Sequence, residues 1–164
     1  MAFTRSGVRS PLSPPAKDLN LKASYGRSYR PLRRAAASGH TAVMGSSLGG
    51  LVALWMAHKL PETFGKAACL SGAFQVRDRQ KKSFVEFVKE REHQDLRIYL
   101  DCGTVHDGIR QSRQVREAYL SRGWREKEDF LYFEDKGGEH NERYWRERAW
   151  RSLAFLFGAE QAGK

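Results

Sequence analysis

The run Thr41-Ala42-Val43-Met44-Gly45 has the length and apolar character of a buried strand, and no connecting loop follows it. Gly45-Ser46-Ser47 passes directly into Leu48-Gly49-Gly50-Leu51-Val52-Ala53-Leu54-Trp55-Met56-Ala57-His58-Lys59. That segment is rich in helix formers and apolar on nearly every side, so it reads as a buried helix, ended by Pro61. A chain that changes from strand to helix within three residues must bend sharply. Small residues two places before and two places after Ser47 allow the close approach that such a bend needs. The bend forces Ser47 into a strained backbone conformation and lifts its hydroxyl clear of the sheet, at the positive end of the helix.

The alternation then repeats. Ala67-Ala68-Cys69-Leu70-Ser71 reads as a second buried strand, and residues 81–92 as a helix with Phe84, Val85, Phe87 and Val88 on one face. Leu96-Arg97-Ile98-Tyr99-Leu100-Asp101 alternates like a strand and is expected to stop at Gly103. Residues 109–122 read as a charged surface helix contacting the core through Ile109, Val115 and Tyr119, with Gly123 closing it. Asp129-Phe130-Leu131-Tyr132-Phe133 is the fourth strand, Gly137-Gly138 a turn, and 141–157 the last helix, anchored by Trp145, Ala149, Leu153 and Leu156. Strands alternating with helices of this length imply the α/β class: a parallel sheet of about four strands with helices on both faces. At 164 residues the chain is one domain in size, expected over 25–158, with a six-residue tail at 159–164.

Charge narrows the class further. Residues 1–39 hold eight Lys or Arg and one acid, Asp18, so most of the net charge of +10 sits ahead of the domain. Residues 1–24, rich in Ser, Pro and Arg, show neither period and read as a disordered, solvated leader. Neither nucleic-acid nor membrane binding is inferred from it. Two cysteines, Cys69 and Cys102, exclude a disulfide scaffold and read as small buried hydrophobes; with no signal-peptide core, the expected location is cytoplasmic.

Gly45-Ser46-Ser47-Leu48-Gly49 matches G-x-S-x-G in the strand-to-helix context of a nucleophile elbow. Ser47 is the candidate nucleophile, and the Leu48 amide one donor to an oxyanion. A general base belongs on a loop after a later strand, and His140, beyond the fourth, is in that place. The acid that orients the imidazole is expected from the loop after the third strand, where Asp107 is favoured, ahead of Asp101 at the end of that strand and Asp135 at the end of the fourth. The other histidines (His40, His58, His93 and His106) have no metal-site spacing, and the glycine clusters lack the Lys-Ser/Thr of a phosphate loop, so no cofactor is implied. Trp145 and Trp150 read as packing residues.

Four segments in order carry a resemblance: Thr41 to Leu51 with the elbow; Pro61-Glu62-x-Phe64-Gly65-Lys66; Tyr99-Leu100-Asp101-x-Gly103-Thr104; and Gly138-Glu139-His140-Asn141-Glu142-x-x-Trp145-x-x-Arg148. Over about residues 25–158 the chain resembles the esterase family of α/β-hydrolases that includes enterochelin esterases, feruloyl esterases and S-formylglutathione hydrolases. The resemblance implies ester hydrolysis through Ser47 and His140, on a small-molecule ester. Members of that family have a long N-terminal half that usually supplies a second oxyanion donor. Here only some forty residues precede the elbow, so the chain reads as the C-terminal half of the fold. The elbow strand would then lie at a sheet edge, and homo-oligomerisation through that edge is expected. The alternative is a catalytically silent fragment acting as an interaction module.

Overall fold

The computed structural model describes residues 38–158. The expected leader at 1–24, the first part of the expected domain at 25–37 and the tail at 159–164 lie outside the described residues. A 3-10 turn over Ser38–His40 leads into β1 (Ala42–Ser46), and α1 (Ser47–Lys59) follows with no residue between. Then come β2 (Lys66–Leu70), α2 (Phe84–Lys89), β3 (Arg97–Val105), α3 (Ile109–Ser121), β4 (Phe130–Glu139) and α4 (Glu142–Phe157). The strands form one parallel sheet in the order β1-β2-β3-β4. The class is α/β, as the alternation implies.

The pleat divides the strand side chains between two cores. Ala67, Cys69, Ile98, Leu100 and Phe130 turn toward Leu54 and Ala57 of α1, Val88 of α2, and Val115 and Tyr119 of α3. Ala68, Leu70 and Tyr99 turn the other way, against Leu156, Trp145 and Ala149 of α4. Covering both faces is what a parallel sheet requires, and it explains why β2 reads as a continuous apolar run.

Several expected boundaries move, each for a local reason. The helix expected over 81–92 is only the six residues of α2. Asp78 Oδ1 accepts from the amides of Gln80 and Lys82 and holds them in a turn, and Ser83 and Glu86 form a reciprocal capping box that starts the helix. Gly103 does not end β3. A Cβ there would collide with the Gly138 carbonyl, so the glycine lets the two strands run on in close contact. Gly137-Gly138 is not a turn between elements but part of β4: pairing jumps from Gly103↔Asp135 to Val105↔Glu139, a bulge with Gly137 at φ 83°. Helix α1 is not buried all round, since Leu48, Val52 and Trp55 are exposed. On α4, Leu153 and Trp150 are exposed, and the buried stripe includes the polar Arg148 and Ser152 instead.

Among the described residues β1 has a strand neighbour on one side only. Apolar side chains of α1 (Leu48, Val52, Trp55) and α4 (Trp150, Leu153, Phe157) are exposed, as is Met44 of β1. No described helix is long and apolar enough to cross a membrane.

Candidate active site

The elbow is steric in origin. Ser47 has φ 52°, a left-handed conformation that a side chain other than glycine rarely adopts. Gly45 permits it, because a Cβ at that position would lie 2.5 Å from the backbone carbon and oxygen of Gly49. The small-residue requirement is not symmetric, however. A Cβ on Gly49 would meet no described atom within 4 Å, whereas one on Gly50 would strike Cys69 Sγ at 2.7 Å. The helix therefore rests on β1 and β2 through Gly45 and Gly50, and Gly49 contributes its backbone. Leu48 is the second residue of α1, where an amide has no acceptor within its own helix.

His140 follows β4, one residue ahead of Asn141, the N-cap of α4, which accepts from the Tyr144 amide. Its Nε2 lies 2.9 Å from Ser47 Oγ and its Nδ1 2.6 Å from Asp107 Oδ1. Against a carboxylate, which only accepts, Nδ1 carries the proton and Nε2 is left to accept from the serine. Asp107 is buried in the loop after β3. Ser47, Asp107 and His140 thus come from the carboxyl ends of β1, β3 and β4, and the tertiary fold brings them into one line.

Asp101 and Asp135 do not contact the imidazole. Both hold the guanidinium of Arg148, through Nε to Asp101 Oδ1 at 2.9 Å and Nη1 to Asp135 Oδ2 at 3.1 Å. Burial pushes the Asp101 carboxyl up to about 6, while Arg148 and the Tyr99 hydroxyl pull it back. Two further residues at the site, Ser71 and Arg148, carry no role in the sequence reading. Ser71 Oγ donates to Asp107 Oδ2 at 2.5 Å and accepts from the Trp145 indole nitrogen at 2.9 Å. Trp145 also stands edge-on to His140, with ring centroids 5.0 Å apart. The available signal for Arg148 was its position three residues after Trp145 on the face that α4 buries.

Cys69 and Cys102 are free and buried, and burial raises both thiols. No group of three or more potential metal ligands occurs among the described residues.

A family model described as "Putative esterase" matches residues 30–156. The chain belongs to this esterase family. Similar solved structures include the enterobactin esterase of Shigella flexneri, which superposes with a TM-score of 0.64 at 26% identity, covering 74% of this chain and 32% of that one. A ferulic acid esterase superposes equally well, at 0.64, but is 17% identical and supports the fold alone; 74% of this chain and 53% of that one are covered. The uncharacterized protein YbbA of Bacillus subtilis (strain 168) is 24% identical over 129 residues, covering 73% of this chain and 50% of YbbA. The chain therefore spans about half the length of that curated relative and about a third of the enterobactin esterase.

Proposed function

We propose that the chain is a serine carboxylesterase that hydrolyses carboxylic esters through an acyl-enzyme on Ser47. The observation that carries this reading is the continuous line from Ser47 Oγ through His140 to Asp107, at 2.9 and 2.6 Å. In this reading His140 Nε2 takes the proton as Ser47 Oγ bonds to the ester carbonyl carbon. The Leu48 amide, at the positive end of α1, donates to the oxyanion that develops. Collapse of the tetrahedral intermediate breaks the bond to the alcohol, which leaves with the proton from His140. Water activated by the same imidazole then releases the acid and restores the serine. Asp107 holds the imidazole in the required tautomer throughout. Removal of one oxyanion donor costs about 100- to 1000-fold in rate. A site working with the Leu48 amide alone is therefore slow but measurable.

Fluorophosphonate labelling of the purified, monodisperse protein tests this, read by intact mass and peptide mapping beside Ser47→Ala and a heat-denatured control. A single adduct on Ser47, absent from both controls, is expected. A folded sample that takes no adduct would overturn the reading and leave a catalytically silent hydrolase fragment.

A further inference from the structure

Two serines at adjacent strand ends share an unusual backbone. Ser46 pairs with Leu70, so Ser47 and Ser71 are the next residues along, at φ 52° and 50°. The bend at Ser47 serves the elbow. Ser71 is fully buried and lies one step beyond β2, where its amide donates to the carbonyl oxygen and Oδ1 of Asp101. Strain of this kind persists only where the surroundings over-determine it, and here they fix a hydroxyl.

A serine hydroxyl has one proton to give and two lone pairs to fill. Ser71 Oγ accepts from Trp145 Nε1 and from Arg148 Nη2, which fills both. Its proton has one remaining direction, toward Asp107 Oδ2. The same oxygen accepts from the Gly103 amide and, at 3.3 Å, from Arg148 Nη2. Oδ1 faces His140. The two carboxylate oxygens are thus divided, one for the imidazole and one for the scaffold.

Arg148 could have disrupted this division by forming a two-pronged pair with Asp107. It does not, because Asp101 of β3 occupies Nε and Asp135 of β4 occupies Nη1. Arg148, 2% exposed, presents a single guanidinium nitrogen to Asp107 and Ser71. We propose that Ser71 and Arg148 are positioning residues that lock the Asp107 carboxylate so that it orients His140, an inference that rests on the Ser47 esterase reading for its catalytic consequence.

The test uses Ser71→Ala, Arg148→Lys and Arg148→Met, with turnover of a short-chain p-nitrophenyl ester expressed per fluorophosphonate-titrated serine. A misplaced imidazole is expected to lower kcat by roughly 10- to 100-fold with KM within about twofold. Arg148→Lys should recover part of what Arg148→Met loses. Among the described residues, the charged groups tied to Asp107 and His140 are Arg148 and, through it, Asp101 and Asp135, with Glu139 preceding His140 in the chain. Removing the guanidinium charge held against Asp107 favours a positive imidazole, so in Arg148→Met the low-pH limb of the rate profile should move to higher pH. Wild-type kcat per titrated site and an unmoved limb in folded variants would overturn the proposal. If Arg148→Met does not fold, Ser71→Ala decides. Proton NMR of the His140 Nδ1–H separates this from the esterase reading, since it needs no turnover. A low-field resonance in the wild type that broadens or shifts in Ser71→Ala supports positioning even if Ser47 proves inert. An identical resonance in both overturns it.

Discussion

Arg148 approaches Asp107 from the side opposite His140: its Nη2 lies 3.3 Å from Oδ2, while the imidazole meets Oδ1 at 2.6 Å. One carboxylate is thereby held between a buried cation and a half-exposed imidazole. The arrangement makes the orientation of His140, rather than its mere presence, the sensitive quantity.

Asp107→Asn should therefore keep the fold and lose the chemistry. An amide can donate to Nδ1 and so stabilise the wrong tautomer, leaving Nε2 protonated and unable to accept from Ser47. On the order of a 10³- to 10⁴-fold fall in kcat is expected, with unchanged circular dichroism. Steady-state hydrolysis of an activated ester checks it. A fall of less than tenfold would remove Asp107 from the role assigned to it.

The asymmetry of the elbow glycines is measurable as stability. Gly45→Ala places a Cβ 2.5 Å from Gly49 backbone atoms that cannot yield without displacing α1. A loss of about 2–4 kcal/mol is expected, in the range of severe single substitutions. Gly49→Ala meets no described atom and replaces glycine within a helix, so a change between zero and a gain of about 1 kcal/mol is expected. Urea unfolding of the two variants compares them directly, and equal losses would contradict the geometry.

His58 makes stability depend on pH. It is buried, with Nδ1 2.6 Å from Gln94 Oε1 and Nε2 3.0 Å from the Tyr119 hydroxyl. Burial lowers it from 6.5 to about 4, with Gln94 opposing and Arg91 adding to the shift. Between those values the unfolded chain binds the proton and the folded chain does not, so His58 favours unfolding as pH falls from 6.5 toward 4, by about 3 kcal/mol in all. Asp101, raised from 3.8 to about 6, acts with the opposite sign: its folded form retains a proton that the unfolded form has lost. The wild-type slope contains both. The difference between wild type and His58→Gln isolates the histidine, and urea midpoints at pH 7.5 and 4.5 measure it; identical pH dependence in the two proteins would contradict the assignment.

Self-association is predicted at the side of β1 that has no strand neighbour among the described residues. The edge strand and the exposed Trp55, Trp150 and Leu153 offer an apolar surface that a second copy can cover. Sedimentation velocity over a concentration series should show reversible self-association that Trp150→Glu with Leu153→Glu weakens. A monomer at all concentrations would exclude this route.

The class, the alternation and the residues of the Ser47–His140–Asp107 line were legible in the sequence because each rests on local pattern. Apolar runs of strand length, helical stripes, and a serine between glycines at a strand-to-helix junction are short-range signals. Their order along the chain then places Ser47, Asp107 and His140 at the carboxyl ends of β1, β3 and β4 of a parallel sheet. What misled the reading was also local. Gly103 and Gly137-Gly138 look like breaks when considered alone, yet each glycine accommodates the other strand's backbone or a bulge, which only the pairing of β3 with β4 reveals.

The amino-acid order by itself determined the α/β class, the position of the elbow and the residues able to form a nucleophile–imidazole–carboxylate line. Tertiary structure decided which carboxylate meets the imidazole. Place along the chain favours Asp107 but leaves Asp101 and Asp135 open, and what separates them is Arg148, 41 residues beyond Asp107. Its guanidinium engages Asp101 and Asp135 on two nitrogens and leaves one carboxylate oxygen of Asp107 for His140. A buried cation selects among acids by geometry and charge in three dimensions, and no spacing along the chain encodes that competition.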